Sequence, residues 1–253
     1  MTIGDLANFA ISRIFEPPCA ACGHPIPRPL AGAVCDACWS RVVSFAPPLC
    51  DSCGTPLPSW RSAAEATMHC PDCRRLPSAL DRQAAIGPYD GTLREVLHAL
   101  KYDGRRSIAP VLSARMRAVG RELLEDASLV VPVPLHRRRL WMRGFNQSDL
   151  LAVGLGLPVG RLLRRVRATP PQVSLPAAAR HCNVRDAFRL AGGRAARSTR
   201  RSGVALDGLV LVLVDDVSTT GATLEACARV LKEAGAAEVR AITAARVVTR
   251  RRG

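Results

Sequence analysis

Eight of the ten cysteines in this chain fall into four CxxC pairs before residue 74, and no other feature constrains its fold as strongly. The pairs read C-x2-C-x12-C-x2-C for Cys19, Cys22, Cys35 and Cys38, and C-x2-C-x16-C-x2-C for Cys50, Cys53, Cys70 and Cys73. Each CxxC turn aims two thiolates at one point, and two such turns complete a tetrahedral zinc site. Sequential pairing gives two zinc ribbons; an interleaved pairing satisfies the same arithmetic. Two closed four-thiolate sites leave no open coordination position, so about two Zn2+ are expected in structural roles. A redox CxxC normally occurs once, at a helix N-terminus, which makes it the weaker reading. His24 and His69 are expected to stand beside the ligands, and Cys227 is expected to be ordinary core. Thiolate ligands in this number point to a reducing compartment, hence the cytoplasm.

Composition changes near residue 80, which places a double zinc-ribbon region at 1–78 and a second domain at 79–253. Separate cores are expected for the two. Residues 1–80 carry six Arg against six Asp and Glu, so the formal charge of +15 lies wholly in the second part. Within 137–201 fifteen arginines face only Asp149 and Asp186, a basic face suited to phosphates or nucleic acid. A solvated arginine-rich surface has the same composition. No run of eighteen apolar residues occurs, so no membrane-spanning helix is expected, and the N-terminus lacks the pattern of a signal peptide.

Beyond residue 80 the periodicities alternate. Leu93, Val96, Leu97 and Leu100 recur at helical spacing, and a second helix is expected over 108–124. Ser128 to Val133 reads as a strand, Asn146 to Leu155 as a helix and Gly192 to Gly203 as a loop. Leu209 to Val214 is six apolar residues in succession, as in a strand covered on both faces. A helix over 223–234 and a strand over 238–247 follow. The order predicts an α/β fold with a parallel sheet.

The segment Asp215-Asp216-Val217-Ser218-Thr219-Thr220-Gly221-Ala222-Thr223 carries the chemistry. A buried strand is expected to end at the two carboxylates, and a small-residue turn then opens a helix. The N–H groups of such a turn converge on an anion at the positive end of the helix dipole. Thr219, Thr220 and Thr223 offer hydroxyls, and Gly221 lets the backbone approach. A phosphomonoester fits that cradle. Asp215 and Asp216 would repel phosphate, so ribose hydroxyls, met directly or through Mg2+-bound water, are their expected partners. A GxxxxGK[ST] loop is absent, which excludes the nucleoside-triphosphate P-loop.

This segment resembles the signature by which type I phosphoribosyltransferases bind phosphoribosyl pyrophosphate (PRPP). Together with the cysteine region, the chain is similar to the ComF family, double-zinc-ribbon proteins with a phosphoribosyltransferase fold linked to bacterial competence and gluconate-associated loci. Further matches are Leu100-Lys101-Tyr102, Gly104-Arg105-Arg106, Pro132 to Arg139, Arg143 to Gln147, Thr169 to Gln172, and Arg180, Asn183, Val184 and Phe188. Ser218 departs from the signature, which is usually aliphatic at that place.

The resemblance implies a type I phosphoribosyltransferase fold whose cradle, Val217 to Thr223, binds PRPP or another ribose 5-phosphate. It implies Mg2+ bound with PRPP and Asp215 and Asp216 on the ribose. It also implies a pyrophosphate loop over Pro134 to Arg139, with His136 and Arg138 as ligands and Arg137 assisting departure of the leaving group. Thr169 to Asn183 falls where a catalytic lid sits. The acceptor stays open, and with it three readings: a phosphoribosyltransferase, a protein handling single-stranded DNA with other competence proteins, and a sensor of PRPP or nucleotides. Trp39, Trp60 and Trp141 are the candidate base-stacking platforms for the second.

Overall fold

The computed structural model describes residues 4, 11, 17–58, 68–167, 186–191 and 206–248. The expected positions Trp60, Thr169 to Gln172, Arg180, Cys182, Asn183, Val184 and the Gly192–Gly203 loop lie outside them. No helix among the described residues is long and apolar enough to cross a membrane.

The cysteine region contributes two short helices, α1 (Asp36–Ser40) and α2 (Pro71–Arg75), each beginning directly after a ligand cysteine. Beyond it lie β1 (Gln83–Pro88), α3 (Gly91–Tyr102), α4 (Ala109–Val119), α5 (Arg121–Leu124) and β2 (Leu129–Pro132). Then come α6 (Arg137–Arg143), α7 (Gln147–Val153), β3 (Leu163–Arg165), β4 (Phe188–Leu190), β5 (Val210–Ser218), α8 (Ala222–Glu233) and β6 (Glu238–Arg246). The helix expected over 108–124 is two helices, because the chain leaves α-geometry at Gly120.

Four strands form a parallel sheet in the order β1-β6-β5-β2, and β3 and β4 form a separate antiparallel pair. Alternation along the strands covers both faces of the sheet. Val130, Val212, Val214 and Ile242 enter one core with Leu93, Val96, Leu97, Leu100 and Leu112. Val131, Leu211, Leu213, Val239 and Ala241 enter the other with Leu224, Cys227 and Leu231. Strands buried on both faces must be apolar at successive positions, which is the pattern that marked 209–214.

The expectation of separate cores is corrected. Cys19, Ile26, Val34, Cys38 and Val42 belong to the same buried cluster as Ile86 and the α3 and α4 side chains. The Phe45 N–H donates to the Ile86 carbonyl at 2.8 Å, extending the sheet at its β1 edge. A Cβ on Gly87 would lie 2.0 Å from the Val43 carbonyl oxygen, so only glycine permits this approach. On the other side, Arg115 of α4 donates to the Trp39 carbonyl at 2.9 Å and stacks over its ring. Among the described residues of the ribbons, only Cys50, Cys53 and Cys70 form a small buried cluster of their own.

Candidate ligand and metal sites

The cysteines assemble in the sequential pairing. The sulfurs of Cys19, Cys22, Cys35 and Cys38 lie within 4.8 Å of one another, as do those of Cys50, Cys53, Cys70 and Cys73. A tetrahedron with arms of about 2.3 Å has edges of about 3.8 Å. Cys22 and Cys35 are 3.9 Å apart, and Cys53 and Cys70 are 3.7 Å apart. These spacings fit a shared Zn2+ and are far too long for disulfides. The Cys35 N–H points at the Cys19 sulfur at 3.3 Å and the Cys70 N–H at the Cys50 sulfur at 3.2 Å, orienting the first ligand of each set. Burial, opposed by the Arg41 guanidinium, and then the adjacent sulfurs push the Cys38 thiol up to about 12. A dication is what allows four such thiols to ionise together. His24 Nδ1 meets the Cys22 carbonyl and His69 Nδ1 the Ser52 hydroxyl, and among the described residues neither joins the cysteine sets.

The segment expected to cradle phosphate lies between β5 and α8. The strand runs on past the carboxylates to Ser218, because Asp215, Val217 and Ser218 still pair with Thr243, Ala245 and Arg246 of β6. Gly221 has φ 76°, a left-handed backbone that reverses the chain directly into α8. It brings no side-chain cap to the first turn. Ser218 Oγ and Thr220 Oγ1 are buried without a hydrogen-bond partner among the described residues. Buried hydroxyls are normally satisfied, and leaving one unpaired costs about 1–3 kcal/mol. A ligand phosphate is the kind of acceptor that would remove that cost.

The two carboxylates are more enclosed than a strand-end position implies. Asp216 is 4% exposed, with Oδ2 lying 2.6 Å from Lys101 Nζ and Oδ1 3.5 Å from Gln147 Nε2. Asp215 Oδ1 accepts from Ser148 Oγ and from the Asp216 N–H, both at 2.9 Å. Burial raises the Asp215 carboxyl to about 6, against the opposing pull of Ser148, Lys101, Arg165 and Arg143. Burial likewise pushes Lys101 down to about 8. Among the described residues, only the two cysteine sets gather three or more metal-ligating groups. Asp216 faces Lys101 and Gln147, and Asp215 Oδ1 is taken by Ser148 and the Asp216 N–H.

The expected pyrophosphate loop is only half a loop. Pro134 to His136 is extended, but Arg137 opens α6, with the His136 ring accepting the Arg138 N–H at 3.3 Å. Arg137 and Arg138 are exposed. Arg139 lies near Arg143 and Arg165, where its like charge adds to burial in lowering both guanidinium pKa values. Arg143 also bonds Gln147 at 2.5 Å, while Asn146 caps α7. Lys101, Gln147, Ser148 and Arg165 had no role assigned from sequence. One signal was available for Lys101: the chain has 34 arginines and only two lysines.

Comparison with known proteins agrees with this architecture. The double zinc ribbon domain family matches residues 10–74, and the phosphoribosyl transferase domain family matches 189–252. The chain is 34% identical over 234 residues to the DNA utilization protein YhgH of Salmonella typhimurium, covering 87% of this chain and 93% of that protein. It is 31% identical over 216 residues to Competence protein F of Haemophilus influenzae, covering 81% and 87%. Competence protein ComFC of Bacillus subtilis is 29% identical over 211 residues, covering 81% and 80%. With a double zinc ribbon joined to a phosphoribosyl transferase domain and relatives matched along nearly their full length, the chain belongs to the ComF family.

Proposed function

We propose that this chain binds PRPP or a related ribose 5-phosphate ligand at the β5–α8 cradle and acts in the use of DNA. The reading is carried by the two buried, unpartnered hydroxyls of Ser218 and Thr220 beside a left-handed glycine at a helix N-terminus. Val217 to Thr223 would hold the 5′-phosphate, with Asp215 and Asp216 on the ribose side and the arginines of α6 and β3 toward the diphosphate. Transfer of the pentosyl group would need little more than such positioning and charge. The relatives named for DNA utilization and competence support the DNA context, and the thiolate-rich zinc sites suit a cytoplasmic protein acting with other competence components. Calorimetric titration of ribose 5-phosphate and PRPP tests the reading. Both are expected to bind and both to be lost in Gly221→Val; absence of binding by either to the parent protein overturns it.

One observation favours single-stranded DNA as a second ligand. The α6 helix exposes Leu140, Trp141 (85%) and Met142 beside Arg137 and Arg138, combining a stacking surface with backbone charge. Binding with a log–log salt slope near zero, unaffected by Trp141→Ala, would refute it.

A further inference from the structure

Only two positions in this chain carry lysine rather than arginine. Lys232 pairs with Asp81 at the surface. Lys101, at the last turn of α3, lies against the carboxylate pair with its side chain 15% exposed. An ammonium is a compact charge with three donors, while a guanidinium is a wide planar fork. Against a single buried carboxylate oxygen at 2.6 Å, the compact cation is the one that fits.

The charges around it are arranged for an anion. Lys101, Arg143 and Arg165, from α3, α6 and β3, all act on Asp215. Arg139 is a close like-charge neighbour of Arg143 and Arg165. Three cations thus act on one carboxylate in a partly desolvated site, and Arg139 adds its like charge to two of them. Cations gathered at such close quarters repel one another, and an arriving polyanion relieves that repulsion. The two oxygens of Asp216 face Lys101 and Gln147, and Asp215 Oδ1 accepts from Ser148, so the charge found against Asp216 is a side-chain cation.

We propose that Lys101 is the resident cation of this site, holding Asp216 in place of a divalent ion and, with Arg139, Arg143 and Arg165, receiving the diphosphate end of the ligand without Mg2+. The proposal rests on the reading of the cradle as a ribose 5-phosphate site and adds the chemistry of its second half. Lys101 has two further N–H donors once Asp216 is served, and a phosphate oxygen can take either.

The test is calorimetry on the full zinc-loaded chain with ribose 5-phosphate, PRPP and inorganic pyrophosphate, with and without Mg2+. Buffers are freed of Mg2+ by ion exchange, since a chelator would strip the zinc. The parent protein is expected to bind PRPP and pyrophosphate without Mg2+ within about threefold of its affinity with it. Lys101→Met is expected to weaken both by about ten- to a hundredfold without Mg2+, and ribose 5-phosphate by less than about threefold. The double variant Lys101→Met with Asp216→Asn removes both charges of the pair. It is expected to recover thermal stability while the loss of PRPP affinity persists. Recovered affinity in the double variant overturns the proposal, because Lys101 then serves Asp216 alone. PRPP binding that vanishes without Mg2+ while ribose 5-phosphate still binds also overturns it and leaves the cradle standing. Failure of the parent protein to bind either sugar phosphate overturns the cradle and the proposal together.

Discussion

Replacing Asp215 by asparagine is expected to make the protein more stable at neutral pH and a poorer ligand binder. The carboxyl is raised from 3.8 to about 6, burial being the main cause and Ser148 and the three nearby cations opposing it. A carboxyl with a raised folded pKa takes up protons on folding. Its contribution to stability is full below about pH 4 and is lost as pH rises through about 6. Two pKa units at about 1.36 kcal/mol each mean that keeping Asp215 ionised costs roughly 3 kcal/mol at pH 8. Asparagine preserves the size and the oxygen that accepts from Ser148 Oγ and the Asp216 N–H. Its amide donor faces cations, which reduces the expected gain to about 1–3 kcal/mol at pH 8, falling to about half that at pH 5. Urea unfolding of zinc-loaded protein, followed by circular dichroism at the two pH values, measures it. A loss of stability at pH 8, or a gain that does not change with pH, refutes the reasoning.

Three further outcomes are expected. Gly221→Val forces a β-branched residue to φ near 76°, costing about 1–3 kcal/mol, yet an added Cβ meets nothing within 4 Å, so circular dichroism should show a folded protein that no longer binds ribose 5-phosphate. Metal analysis of anaerobically purified protein should return about two Zn2+ per chain. Cys38→Ser should lose one and also lower the unfolding temperature of the α/β part, because Cys38 lies in the shared core. Arg246→Ala removes a 2.8 Å charge-assisted bond to the Cys53 carbonyl, worth about 1.5–3 kcal/mol, and should speed release of one zinc to a chromogenic chelator.

What could be read from the sequence was local or periodic. The cysteine spacing named the eight ligands but left their pairing to the structure, and the apolar run at 209–214 announced a strand buried on both faces. Asn146 and Gly221 fell where a helix cap and a tight turn needed them. The misplacements arose where distant residues decide. Val217 and Ser218 are strand because β6 continues to Arg246 opposite them, a length invisible within 209–218 itself. The arginine triplet is helical because the His136 ring caps α6, a role more often taken by Ser, Thr, Asp or Asn. Ser148, Gln147 and Lys101 reach the carboxylates from two elements separated by up to 47 positions, so no spacing rule could have grouped them.

The shared core changes what the zinc ribbons are for. Ribbons with cores of their own could be an attachment hung from the α/β domain, but this structure joins both of them to the site-bearing sheet. The first ribbon shares Val34, Val42 and Cys38 with the core that buries α3, the helix that carries Lys101. The second presents the Cys53 carbonyl to Arg246, whose backbone pairs with Ser218 at the entrance to the cradle. Beyond Cys73 the chain is clasped by Glu225, which accepts from Ser78 Oγ at 2.7 Å and from the Ala79 N–H at 3.1 Å, in the first turn of α8. Strand end and lysine helix are therefore each tied to a cysteine-bearing stretch, and the helix start to the chain just beyond the last ligand cysteine. A site that receives the proposed polyanion among several like charges would need rigid walls, since any give would let those charges part. Two closed, redox-inert zinc sites would add rigidity to these stretches beyond what their packing in the shared core supplies.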